Sequence, residues 1–235
     1  MSLTDLPDDV TRSILYLLDD TDLARTCLTN KNFSKKICNN TFWLNKILNK
    51  YPLTAEEIKE FSKGKTYWAY YFDLNRIIED IDKNIELNKK YFDAHDHAWH
   101  GSQQTSRIYS AANTGRLDIF KIFLRLGKAP ERIRRKYREG DQKFFDNYLV
   151  SSSRKGHIEL VKWLLEIGAD PHYDFDEPLR LASRAGNLDI IKLLLEYGAN
   201  PHSFGDQIID EARRARKWDV LELLTGEKHK KCEIC

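Results

Sequence analysis

Three clusters of side chains have the composition that chemistry needs. His95, His97 and His100 lie within Asp93-Ala94-His95-Asp96-His97-Ala98-Trp99-His100, and imidazoles mixed with carboxylates can hold zinc or nickel. Residues at i, i+2 and i+5 do not share one helix face, and no fourth ligand stands at a metal-site spacing. The stretch reads as a polar surface loop, and no metal is expected. The tail Lys228-His229-Lys230-Lys231-Cys232-Glu233-Ile234-Cys235 carries a Cys-x-x-Cys without the partner pair of a zinc site. Cys232 also stands fourth from the end, as a prenylated cysteine does, but Glu233 and a final Cys235 fit that signal poorly. It reads as a basic tail with free thiols. The third cluster is cationic: Arg132, Arg134, Arg135 and Arg138 between Glu131 and Glu139, joined further on by Arg180, Arg184, Arg213 and Arg214. Such a set suits an acidic protein segment better than nucleic acid. The alternative is a solvated face with ordinary charge scatter, given Asp174, Asp176 and Glu177 close by. No serine elbow, phosphate loop or framed carboxylate pair is present. No catalytic residue and no cofactor are assigned, and no enzyme activity is expected.

Composition narrows the setting. At 235 residues the chain can bury one or two real cores. With 38 basic and 36 acidic side chains, no global field argues for nucleic acid. The first residues lack a secretion signal, and no apolar run approaches the roughly 20 residues of a membrane span. Four cysteines, two scattered and two in the tail, make no disulfide framework. The expectation is a monomer in the cytoplasm or nucleus, with neither membrane nor nucleic acid as partner.

The elements that would position these side chains repeat. Gly156-His157-Ile158-Glu159-Leu160-Val161-Lys162-Trp163-Leu164-Leu165-Glu166 through Gly168 to Pro171-His172 recurs 30 residues later as Gly186-Asn187-Leu188-Asp189-Ile190-Ile191-Lys192-Leu193-Leu194-Leu195-Glu196 through Gly198 to Pro201-His202. A weaker copy runs from Gly115 to Pro130, and a truncated one from Trp218 to Leu224, with Arg216 in the glycine slot. Within one unit Pro178 opens a first helix. Leu179, Ala182 and Ala185 give it a small-residue face, and Gly186 ends it. Leu188, Ile191, Leu194 and Leu195 then stripe a second helix, leaving Asp189, Lys192 and Glu196 to water. Such a pair cannot bury its own stripe, so neighbours must stack. The unit resembles the ankyrin repeat, with Glu177-Pro178-Leu179-Arg180-Leu181-Ala182 in place of that family's Thr-Pro-Leu-His-x-Ala. Arg180 replaces the histidine, and the 30-residue period is shorter than the usual 33, which implies a clipped hairpin loop. Between Gly127 and Gly156 the chain is 11 residues longer than between Gly168 and Gly186, and insertions in repeat arrays fall on one face, often the binding face. In ankyrin proteins the first helices, which carry Arg180, Arg184, Arg213 and Arg214, line the concave side.

Residues 3–47 read as three short amphipathic helices. Asp5 is a candidate N-cap, Val10, Ile14, Leu15, Leu17 and Leu18 form a broad apolar face, Asp19 to Asp22 break the pattern, and Leu23, Cys27 and Leu28 resume it. So short a segment buries little and leaves apolar surface for a partner. Leu6-Pro7-x-Asp9-Val10, Ile14-Leu15-x-x-Leu18, Asp22-Leu23, Lys31-x-Phe33 and Trp43 resemble an F-box. That resemblance implies recruitment by a Skp-family adaptor of a cullin ubiquitin ligase. Leu6, Pro7, Ile14, Leu15, Leu18 and Leu23 would form or support the contact, some of them as internal core. Next, Thr54 and Glu57 form a capping-box pattern. The aromatic run Tyr67 to Phe72 reads as a joint packing this part onto the first repeat, rather than as a base-stacking platform.

The expected architecture is thus all-α. It comprises an F-box-like domain over 1–50, a helical linker or degenerate repeat over 51–104, and about four ankyrin units over 105–228 with an insertion at about 128–146. A flexible tail follows over 229–235. The resemblances imply a substrate-recognition adaptor for ubiquitin transfer that captures a target protein. The alternative is an ankyrin scaffold or inhibitor with no ligase link. An N-terminal F-box joined to short, Asn- and Lys-rich ankyrin repeats is similar to proteins of large DNA viruses.

Overall fold

A computed structural model of the chain describes residues 7–29, 38–94, 103–126 and 145–226, and every regular element among them is helical. The all-α expectation holds. The chain folds as two compact units, Met1–Asn84 and Ile85–Cys235. The expectations placed on Asp5 and Leu6, the histidine cluster, the arginines of the insertion and the tail fall outside the described residues.

The first unit contains α1 (Asp8–Leu17), α2 (Asp20–Thr29), α3 (Asn40–Lys50), α4 (Ala55–Phe61) and the start of α5 (Tyr67–Ala94). Each start has a local cause. The Pro7 carbonyl accepts both the Thr11 N–H at 2.9 Å and the Thr11 hydroxyl at 3.0 Å. Asp19 accepts the Asp22 N–H at 2.8 Å. Only Leu18 and Asp19 therefore break the helix, while Asp20 and Asp22 sit in the first turn of α2, where the helix dipole favours them. Asn39 caps α3 through the Phe42 N–H at 3.0 Å. Both bonds of the Thr54–Glu57 capping box are present.

Leu15, Leu23, Trp43, Ile47, Ile58 and Leu74 are fully buried. The aromatic run, expected to be a joint to the repeats, builds the core of this first unit. The Trp43 ring meets Tyr71 and Phe72 at 5.5 and 5.6 Å, and Tyr70 and Tyr71 are each 1% exposed. Beside them Asp20 accepts the Tyr71 hydroxyl at 2.7 Å and pairs with Lys50 at 2.9 Å and Lys46 at 3.4 Å. Burial pushes its carboxyl up, but the Tyr71 and Lys50 hydrogen bonds outweigh that and hold it below its ordinary range. Burial, and then the bond to Asp20, pushes the Tyr71 hydroxyl well up.

One expectation is overturned here. Cys27 and Cys38, scattered in the sequence with no framework to pair them, form a disulfide across Cα atoms 5.9 Å apart. Both are buried beside Trp43, so proximity comes from how α2 and α3 pack, which an 11-residue spacing does not announce.

Among its described residues, the second unit holds the end of α5 and then four helix pairs: α6 (Gln103–Thr114) with α7 (Leu117–Arg125), α8 (Asp146–Lys155) with α9 (Ile158–Glu166), α10 (Tyr173–Ala185) with α11 (Leu188–Glu196), and α12 (Ser203–Arg214) with α13 (Trp218–Thr225). Their cores align as columns. Ile108, Leu149, Leu179 and Ile209 stack along the first helices. Ile119, Leu160, Ile190 and Val220 stack along the second, as do Phe123, Leu164, Leu194 and Leu224, all at most 5% exposed. Each such side chain contributes about 1.5–3 kcal/mol by leaving water. α10 is not regular throughout. Asp174, Phe175 and Asp176 adopt left-handed dihedrals, with φ of 49°, 59° and 61°, and helical geometry resumes at Glu177, which leaves Pro178 in the first regular turn.

Neighbouring pairs are tied through backbone atoms. The residue after each glycine slot reaches back to the last carbonyls of the previous first helix, groups that have no intrahelical partner. His157 Nε2 donates to the Asn113 carbonyl at 3.0 Å, Asn187 to those of Ser153 at 2.8 Å and Arg154 at 3.2 Å, and Lys217 to those of Ser183 and Arg184.

Candidate protein-interaction surfaces

In the first unit, α1 exposes apolar surface that folding has not used. Leu17 is 86% exposed and Val10 41%, while Pro7 is exposed at the N-cap. Ile14 and Leu18 are half-buried, whereas Leu15 and Leu23 have no exposed surface at all. Of the six residues singled out for adaptor binding, Pro7, Ile14 and Leu18 are therefore reachable. Leu15 and Leu23 can act only from within, and Leu6 lies outside the described residues. That set omits Leu17 and Val10, although they belong to the same apolar face.

In the repeats, the arginines differ in what they already hold. Arg180 grips Glu177 with two hydrogen bonds of 2.6 Å, which raises its pKa further, and lies 3.9 Å from Glu211. Arg213 is paired with Asp210 at 2.7 Å. Arg184 is exposed and only loosely paired, its Nε 3.9 Å from Glu211. Arg214 is exposed with no ion pair or hydrogen bond to any described residue. Arg154, Arg184 and Arg214 recur at the 30-residue period in the last turns of α8, α10 and α12, where cations also favour the helix C-terminus.

Comparison with protein families settles the architecture. A family model described as ankyrin repeats (3 copies) matches residues 107–205 and again 149–234, together more than half of the chain. The chain belongs to the ankyrin-repeat family. An F-box domain model matches residues 3–45, so this ankyrin-repeat protein carries an F-box at its N-terminus. A search of curated proteins finds no match. Both modules are interaction modules without chemistry of their own, and together they mark a protein-interaction adaptor. Among the described residues no group of three or more His, Cys, Asp or Glu could hold a metal, and no helix is long and apolar enough to cross a membrane.

Two features of the ankyrin array escaped sequence reading. Asp146 and Asp176, both buried, accept the backbone N–H groups of Asp170 at 2.8 Å and Asn200 at 2.7 Å, which fixes each inter-repeat turn. Asp176 is also 3.0 Å from His172 Nδ1 and accepts the Ser203 hydroxyl. Their signal was the Phe-Asp pair recurring at Phe145-Asp146 and Phe175-Asp176. The other is Lys217, whose position in the series His157, Asn187, Lys217 adds a cation beside Arg184 and Arg214.

Proposed function

We propose that this protein is a non-enzymatic substrate-recognition adaptor: its F-box docks on a Skp-family adaptor of a cullin ubiquitin ligase, and its ankyrin array captures a target protein with an acidic segment. Supporting the first half is Leu17, a large apolar side chain 86% exposed on α1 within the F-box match. Isolated surface leucines are ordinary, but this one continues through Val10, Ile14 and Leu18 into a patch that a partner would cover. Supporting the second half are the weakly engaged Arg184 and Arg214. The division we propose is an F-box over 1–50, a linker over 51–104, repeats over 105–228 and a tail beyond. Ligases of this kind act in the cytoplasm and nucleus, where thiols are kept reduced, so Cys27 and Cys38 would stand there as a buried dithiol.

The test is binding of the purified chain to a Skp-family adaptor. Leu17→Glu should weaken it by at least about 30-fold, the effect of losing one apolar anchor worth roughly 2 kcal/mol, with the fold intact because Leu17 packs on little. Leu15 is the wrong position to change, since its burial would make loss of binding and loss of fold indistinguishable. If the folded wild-type chain ignores the adaptor, the ligase link fails and the protein is an ankyrin scaffold or inhibitor.

A further inference from the structure

Between α10 and α12, the chain encloses a cleft of about 470 Å³ lined in part by Ser183, Arg184, Ile208, Glu211, Arg214 and Lys217. Three of these side chains are cations and one is an anion. Glu211 is shared, 3.9 Å from Arg184 and 3.9 Å from Arg180, which already grips Glu177. Arg214 has no partner among the described residues. Among the described residues the Lys217 ammonium donates only to neutral acceptors, the carbonyls of Ser183 at 3.3 Å and of Arg184, and no described anion compensates its charge. Ser183 adds a separate observation. It is 3% exposed, and its hydroxyl has no hydrogen-bond partner among the described residues, a condition that buried polar groups rarely tolerate.

The groove one repeat earlier isolates what is special here. The period places Ser153, Arg154 and Arg184 in the corresponding positions, and the Ser153 hydroxyl is likewise buried without a partner. There, however, Asn187 stands for Lys217 and Leu181 for Glu211. Of these two grooves, the last alone has a third cation at its edge.

We propose that this cleft is a subsite for a phosphorylated side chain of the captured protein, its oxygens taken by Arg184, Arg214 and Lys217 and by the Ser183 hydroxyl as a fourth donor. The proposal rests on the reading that the array captures a protein target. The charge balance selects phosphate: three cations against Glu211 leave a surplus of two, matching the roughly −1.5 to −2 of a phosphomonoester at neutral pH. A carboxylate brings one charge and two oxygens, too few for four donors. Guanidinium forks suit phosphate geometry.

The test is titration of the full-length chain with O-phospho-L-serine, read by NMR at backbone amides and arginine Nε–H groups, with L-glutamate and a polyglutamate peptide in parallel. The expected result is saturable shifts centred on Ser183, Arg184, Arg214 and Lys217, with L-glutamate at least about fivefold weaker. Arg214→Ala should weaken phosphoserine binding about tenfold and Ser183→Ala about threefold, as for a lost charged donor and a lost neutral one. Neither change removes a bond seen in the fold, so both variants should stay folded: Ser183→Ala should keep or raise the thermal midpoint by removing an unpaired buried hydroxyl, and Arg214→Ala should lower it only slightly through the lost helix-end charge. Equal shifts with L-glutamate, indifference to both substitutions, or shifts spread over Arg154, Lys155 and Arg213 alike would overturn the phosphate site. Polyglutamate separates the two readings. If it binds the arginine face while phosphoserine leaves the cleft unmoved, the phosphate site is wrong and an acidic target stands. If neither binds, both readings fall.

Discussion

Arg216 holds a φ of 53° in the slot that glycine fills at Gly115, Gly156 and Gly186, all with φ between 71° and 86°. The slot ends the first helix of each repeat and turns the chain into the second, and a side chain there crowds the backbone by about 1–2 kcal/mol. Glycine removes that strain but loses about 0.5–1 kcal/mol more chain entropy on folding. Arg216→Gly should therefore stabilise the ankyrin array by roughly 0.5–1 kcal/mol, seen as a higher denaturant midpoint with unchanged slope. A neutral or lower midpoint would mean that Arg216 makes a contact worth as much as the strain. The slot is not equally forgiving elsewhere. A Cβ at Gly115 would lie 2.6 Å from Cγ of His157, and His157 is the side chain that ties this turn to the Asn113 carbonyl. Glycine at 115 thus serves two needs, and arginine at 216 is tolerated because no further described repeat packs behind it.

Among the elements, the start of α2 concentrates the first unit's electrostatics. Asp20 sits in the first turn of α2 and faces Lys46 and Lys50 from α3 and the Tyr71 hydroxyl from α5. Its pKa is lowered in the folded chain, so its stabilising contribution is present above the ordinary carboxylate range and is lost as pH falls through the folded value. Asp20→Asn keeps an acceptor for Tyr71 but leaves Lys46, only 9% exposed, without its anion. The variant should be less stable at pH 7 by about 1–2 kcal/mol, and that gap should close only as pH falls through the lowered folded pKa of Asp20, where the wild-type side chain itself becomes neutral. A gap independent of pH in urea melts would show that packing, not charge, is what Asp20 supplies. None of this network is legible in the sequence, because the Asp19–Asp22 run looks like an interruption, and its partners come from α3 and α5. The repeats are legible for the opposite reason. Leu160, Ile190 and Val220 announce one another by period alone, and Ile119 joins them once the 11-residue insertion is allowed for, while ties such as Asn187 to the Ser153 carbonyl end on backbone atoms and leave no mark on residue type. The face of α1 falls between these cases. Periodicity groups Ile14, Leu15, Leu17 and Leu18, but the face is broader than its neighbours cover, and only packing sorts buried Leu15 from exposed Leu17.

At the scale of the molecule, the two proposed contacts lie on separate compact units, one apolar on α1 and the other cationic between α10 and α12. An adaptor needs both at once, and it needs occupancy of one not to depend on the other. Leu17 and Arg214 share no partner, and changes at such independent sites add within about 0.3–0.5 kcal/mol. Leu17→Glu should then weaken adaptor binding by at least about 30-fold while leaving the phosphoserine titration of the cleft unchanged, and Arg214→Ala should weaken phosphoserine binding about tenfold while leaving the adaptor untouched. The double variant should show each loss at its single-variant size, measured by calorimetry for the adaptor and by NMR for phosphoserine. Saturating the cleft with phosphoserine should leave adaptor affinity within about twofold, since a ligand shifts an equilibrium only by its differential affinity for the states involved. A larger change would reveal coupling between the units and would turn the protein from a passive bridge into one whose ligase recruitment depends on holding its target.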